Sequence, residues 1–180
     1  MRLIGNVEKD AQVRAVASGA LPSGDAVVVN SDGTVSVVAE TNVSQSIGTA
    51  TTYLAASFPE ENKVAYDAAT GKIVITYRDQ SNSAYLAAVV GEVSGTSISF
   101  GTPVVVNSQN SSDGSPVYDP VVQKIVLSYR EGENGYAVIG TVSGTSISFG
   151  TRVNFASGGY MAFQSTVYDS LNNKVVICFR

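Results

Sequence analysis

The chain has no histidine, no tryptophan and a single cysteine, Cys178, in 180 residues. Each absence removes a class of chemistry. Without histidine there is no Ser–His or Cys–His nucleophile pair. Zinc sites built from cysteine and histidine fail by count, and one cysteine makes no disulfide within the chain. Cys178 stands in the apolar run "KVVICF" and reads as a buried, inert core thiol.

Charge is also scarce. Only 14% of residues are charged, against the usual quarter, so Ser, Thr, Asn and Gly must dress the surface. Such a surface suits extracellular or virion β-proteins. The net charge is −4 and no basic run occurs, so the footprint of a nucleic-acid binder is missing. No apolar run nears the ~20 residues of a membrane-spanning helix. The first twenty residues lack the apolar stretch of a secretion signal. No cofactor-binding pattern is found, and "SGTSISFG" has neither the lysine nor the following helix of a phosphate loop.

What is present is repetition. "VSGTSISFGT" occurs twice, at 93–102 and 142–151. Around it lie three related segments, "NKVAYDAATGKIVITYRD", "SPVYDPVVQKIVLSYRE" and "STVYDSLNNKVVICFR". Tyr66-Asp67, Tyr118-Asp119 and Tyr168-Asp169 set the register, and Lys72, Lys124 and Lys174 each follow six after the tyrosine. The unit is about 50 residues, with two nearly whole copies and a third cut off at Arg180, a pattern that fits a piece of a longer product.

Each unit reads as strands. "KIVITYR", "KIVLSYR" and "KVVICFR" carry β-branched and aromatic residues. "DAATGK", "DPVVQK" and "DSLNNK" are turn-like, which makes a hairpin of the flanking segments. "YLAAVVGEVSG" and "YAVIGTVSG" add a third strand, and "SISFG" a fourth. No segment sustains a 3.6-residue apolar period. The expected fold is all-β, of four-stranded units of about 50 residues, arranged either like propeller blades or as a stacked array of sheets. Residues 46–180 hold these units. Residues 1–45 differ: "LPSGDAVVVNSDGTVSVVAE" predicts a β-hairpin turning at Ser31–Thr34. Residues 1–16 read as an extended arm able to add to a neighbour's sheet edge.

Asp67, Asp119 and Asp169 stand at equivalent points of separate units, so Asx turns are expected of them rather than paired acid–base work. The aromatic-Arg pairs Tyr77-Arg78 and Tyr129-Arg130 are followed by polar loops, "DQSNSA" and "EGENG", which are less constrained than the repeated segment. Tyr77, Arg78 and Asp79, with Tyr129, Arg130 and Glu131, are the candidate ligand contacts, because an arginine on an aromatic face beside a carboxylate suits sugar binding. Asp79, Asn82, Glu131, Glu133 and Asn134 offer oxygen ligands for calcium, without the ordered spacing of a calcium loop.

The unit "YD…GK(I/V)V(I/L)(T/S)YRD…Y…VGTVSGTSISFGTPVV(V/F)N" resembles tandem repeats in virion structural proteins of marine tailed bacteriophages, cyanophages among them. "ASGALPSGDAVVVNSDGTVSVV" is similar to the start of many such proteins. The resemblance implies a non-enzymatic virion protein, docked on the particle through residues 1–45, with the repeats displayed as a tail fibre, knob or capsid decoration. It implies a homo-oligomer, a trimer above all, other virion proteins as partners, and room for a host-surface glycan in host attachment. A lectin-like propeller module is the competing expectation. A glycoside hydrolase using two carboxylates is the enzymatic one, and the chain is expected not to be an enzyme.

Overall fold

A computed structural model describes residues 2–3, 13–14, 16–21, 27–38, 47–54, 58–159 and 161–180. The chain divides into two compact units, Met1–Gln45 and Ser46–Arg180. The described residues contain strands and turns and no helix, so none among them is long and apolar enough to cross a membrane.

In the first unit, β1 (Arg2–Leu3) and β2 (Val13–Arg14) pair with each other. Residues 1, 4–12 and 15 of the expected arm lie outside the described residues. A second small sheet runs in the order β3 (Val16–Ala17), β5 (Thr34–Val37), β4 (Val27–Val29). The expected hairpin is β4–β5. Gly33 takes the left-handed conformation, φ +79°. Asp32 Oδ1 accepts from the Thr34 N–H (2.9 Å) and hydroxyl (2.7 Å). Those bonds hold the Asp32 carboxyl below its ordinary range. Val35, with no exposed surface, is the core of this sheet.

The second unit begins with a meander of β6 (Pro59–Asp67), β7 (Lys72–Asp79), β8 (Tyr85–Ser94) and β9 (Ser97–Phe100). β10 (Val104–Asp119) follows, and it belongs to two groups of strands. Its first half pairs with β8 and its second half with β11 (Lys124–Glu131). β12 (Asn134–Ser143) then carries both β13 (Ser146–Phe149) and β14 (Val153–Ala156) on its far edge. The result is one nine-stranded antiparallel sheet, which closes on no edge of itself. β15 (Ser165–Asp169) and β16 (Lys174–Cys178) form a separate hairpin.

The Tyr-Asp spacing explains the three hairpins. Asp67 pairs with Lys72, Asp119 with Lys124 and Asp169 with Lys174. Between them Oδ1 of each aspartate accepts from the second and third following N–H groups, of Ala69 and Thr70, Val121 and Val122, Leu171 and Asn172. These are the expected Asx turns.

β7 is buried on both faces. Val74 packs with Ala65, Ala88, Val90, Ile125 and Ile147, so this core joins the first meander to the strands that follow it. Ile75 and Tyr77 pack on the other face with Ala87, Val89, Tyr53, Leu54 and Phe100. Burial on two faces is why the strand reads "KIVITY" rather than alternating apolar with polar.

The repeated decapeptide is a joint. Gly95 (φ +58°) and Gly144 (φ +57°) open two-residue turns between β8 and β9 and between β12 and β13. Glycine at the first turn position is what a type II′ turn requires. The threonine that follows meets the Gly-Thr pair of the preceding copy. A Cβ on Gly48 would collide with the Thr96 carbonyl oxygen, and one on Gly101 with that of Thr145. Each copy therefore offers a turn at one end and a glycine at the other.

Cys178 corrects the sequence reading: it is exposed. Its register counterparts Thr76 and Ser128 have no exposed surface. Thr76 is covered by the β10 backbone near Gly114, and Ser128 Oγ lies 2.6 Å from Thr166 Oγ1 of β15. Among the described residues nothing covers the corresponding face of β16, where Val176 is 42% exposed. An aromatic disulfide reagent should therefore titrate one thiol in the native protein without denaturant. A thiol that reacts only after unfolding would contradict this placement.

Candidate functional site

The strand ends after Tyr77 and Tyr129 converge on β10. Arg78 leaves β7 and donates through Nη2 to Asn110 Oδ1 (3.0 Å), with Glu60 Oε2 at 3.4 Å from Nη1. Gln80 Nε2 donates to the same Glu60 oxygen (2.6 Å). Arg130 leaves β11 and bonds through Nε to Ser112 Oγ (2.9 Å), with Asp113 Oδ2 at 3.3 Å. A cavity of about 290 Å³ is lined by Asn110, Ser112, Arg130 and Gly132. The two guanidinium groups are thus fixed on neighbouring stretches of one strand.

The other four candidates are placed differently. Asp79 Oδ1 accepts from the N–H (3.1 Å) and hydroxyl (2.7 Å) of Ser81, which makes it the start of a turn. Glu131 Oε2 accepts from Asn107 Nδ2 (2.6 Å) and forms an ion pair with Arg152. Tyr77 and Tyr129 are each 1% exposed. Their rings are core, so the expected role of surface stacking platforms is corrected. The cause is register. Tyr77 stands edge-on to Tyr53 (5.5 Å between centroids), and Tyr129 stacks on its cross-strand partner Tyr136 (5.8 Å) and packs with Leu86 and Val106.

Arg152, which no motif of the sequence marks, ties several of these groups together. It pairs with Glu131, lies 4.2 Å from the Tyr136 ring centroid and reaches Asn107 Oδ1 at 3.5 Å. Its pairing with Glu131, above all, holds its guanidinium more firmly protonated than usual. The residue comes directly after the second decapeptide, where the first copy has Pro103. That difference between otherwise identical segments was the available signal.

Burial pushes the Tyr77 phenol up to about 12, with the Asp79 charge adding to it. Tyr129 is raised for the same main reason, against the pull of Arg152. The sign follows directly. The unfolded phenol loses its proton near the ordinary 10.0, before the folded one does. The contribution to stability is whole below that pH and is lost as pH rises through about 12. Tyrosinate absorbance should accordingly rise in two stages, the second coinciding with loss of β-sheet circular dichroism. A single stage completed before unfolding is the contrary result.

Among the described residues no three acidic or thiol groups come together as a metal site. No family model, curated protein or solved structure matches the chain.

Proposed function

We propose that the chain is a non-enzymatic structural protein of a phage virion. Residues 1–45 dock it on the particle, and residues 46–180 display blade-like repeats as fibre, knob or decoration. The chain works as a homo-oligomer, a trimer by preference.

The observation that carries this reading is the joint at Gly48–Thr96 and Gly101–Thr145. The most faithfully repeated segment of the sequence holds no carboxylate, amine, thiol or imidazole and is spent on fitting one unit to the next. Protein made this way serves length and display. The sequence resemblance to phage repeats points to the same role, as does a surface dressed in uncharged polar residues.

Two measurements test the proposal. Particles of a phage encoding the chain, purified through a density gradient, should contain its peptides by mass spectrometry. Light scattering of the isolated chain should give a mass of three times 18.7 kDa. Peptides found in the lysate but absent from purified particles would overturn the assignment.

A further inference from the structure

Three residues with left-handed backbones stand at one place in the repeat. Glu61 (φ +54°), Asp113 (φ +57°) and Phe163 (φ +56°) each lie five residues before the tyrosine of a Tyr-Asp pair. The pairing register slips at the first two, between Glu60 and Lys63 and between Ser112 and Ser115. Glu61 and Asp113 are non-glycine bulges, and bulges of this kind re-aim side chains; Phe163 stands just before β15. All three line one cavity of about 270 Å³, together with Lys63 and Gln164.

Gln164 singles this cavity out. The residue is 6% exposed, yet among the described residues neither its Nε2 nor its Oε1 has a hydrogen-bond partner. A buried amide left in this state is costly, and native proteins rarely keep one without a use for it. Around it the chemistry is mixed. Phe163 is 72% exposed beside the buried amide. Glu61 Oε2 accepts from the Asp113 N–H (2.6 Å), leaving the second Glu61 oxygen outside that bond. Asp113 is already engaged by Arg130, and Lys63 takes part in no ion pair of the described residues.

We infer that this cavity binds a neutral polyhydroxylated ring, the pyranose of a saccharide. A hydroxyl both donates and accepts, which is what the two orphan atoms of Gln164 require together. The apolar face of a pyranose suits an exposed aromatic ring, and its hydroxyl rim suits Glu61 and Lys63. A lining that carries charges of both signs disfavours a simple anion and a simple cation alike. The volume is below the ~300–1,000 Å³ of drug-sized sites and has room for one ring. The site adjoins the Arg130 strand end through Asp113, and it stands whether or not the chain belongs to a virion.

The test uses the full chain and ligand-observed saturation-transfer NMR. The probes are the methyl glycosides of glucose, galactose, mannose and N-acetylglucosamine, with glycylglycine as a zwitterionic competitor. At least one glycoside should show transfer. Phe163→Gly removes the ring at a backbone that glycine accepts, and Gln164→Met removes both amide atoms at equal length. Each should weaken binding about tenfold with thermal stability unchanged or higher, since each relieves a local cost. A merely structural Gln164 would give the stability gain without the binding loss. The inference is overturned by no transfer from any glycoside, by transfer that survives both substitutions within about twofold, or by glycylglycine binding in preference.

Discussion

Gly101→Ala should lower the stability of the second unit by about 3 kcal/mol, at the upper end of what overpacking costs. A drop of roughly 6–12 °C in the thermal midpoint corresponds to it. The added Cβ would meet the Thr145 carbonyl oxygen and stand 2.9 Å from its carbonyl carbon. Both are backbone, so no rotamer change can relieve the contact. Gly150 supplies the control. It has the same neighbours in sequence, and its N–H bonds the Ile139 carbonyl (3.0 Å) as that of Gly101 bonds Val90 (2.9 Å). A Cβ there finds only ordinary contact, at 3.8 Å from the Ile139 oxygen. Gly150→Ala should therefore stay within about 0.5 kcal/mol of the parent. Equal effects at the two glycines, measured by thermal or urea unfolding, would contradict the joint.

Tyr77→Ala should cost more, about 3–5 kcal/mol, as large aromatic truncations in packed cores do. The ring fills the space between Ile75, Ala87, Val89, Tyr53 and Phe100. Its removal leaves a cavity walled by strands that cannot collapse without giving up their register. Tyr77→Phe, which keeps the ring, should recover most of the loss. A surface stacking residue behaves in the opposite way: truncation would leave unfolding midpoints in place and change only ligand binding. Denaturant unfolding of the two variants separates the roles.

Strand positions were largely readable because local chemistry sets them. Tyr-Asp followed by lysine at a fixed interval announces an Asx turn and a hairpin, and each of the three appears where that spacing puts it. Sidedness was not readable in the same way. "KIVITYR" and "KVVICFR" look alike as strings, yet β7 has a layer on both faces and β16 shows Val176 and Cys178 to solvent. What decides is a neighbour far along the chain, which no window of sequence contains.

The same limit applied to the candidate sites. Arginine beside an aromatic residue marked Arg78 and Arg130, which the structure does bring onto β10. It also marked Tyr77 and Tyr129, whose rings point the other way into the core. The three left-handed residues carried no compositional sign. Glu61, Asp113 and Phe163 share a backbone conformation but not a side-chain type, so only aligning the units on their tyrosines brings them together.

The division of β10 between two partners has a mechanical consequence. Its 16 residues bond β8 over Val104–Asn110 and β11 over Ser111–Asp119. A pull along this strand loads both ladders lengthwise. Their hydrogen bonds, perpendicular to the strand, then resist in shear as a set rather than opening one by one from an end. Under tension the two groups of strands should yield together, as one element with one breaking force.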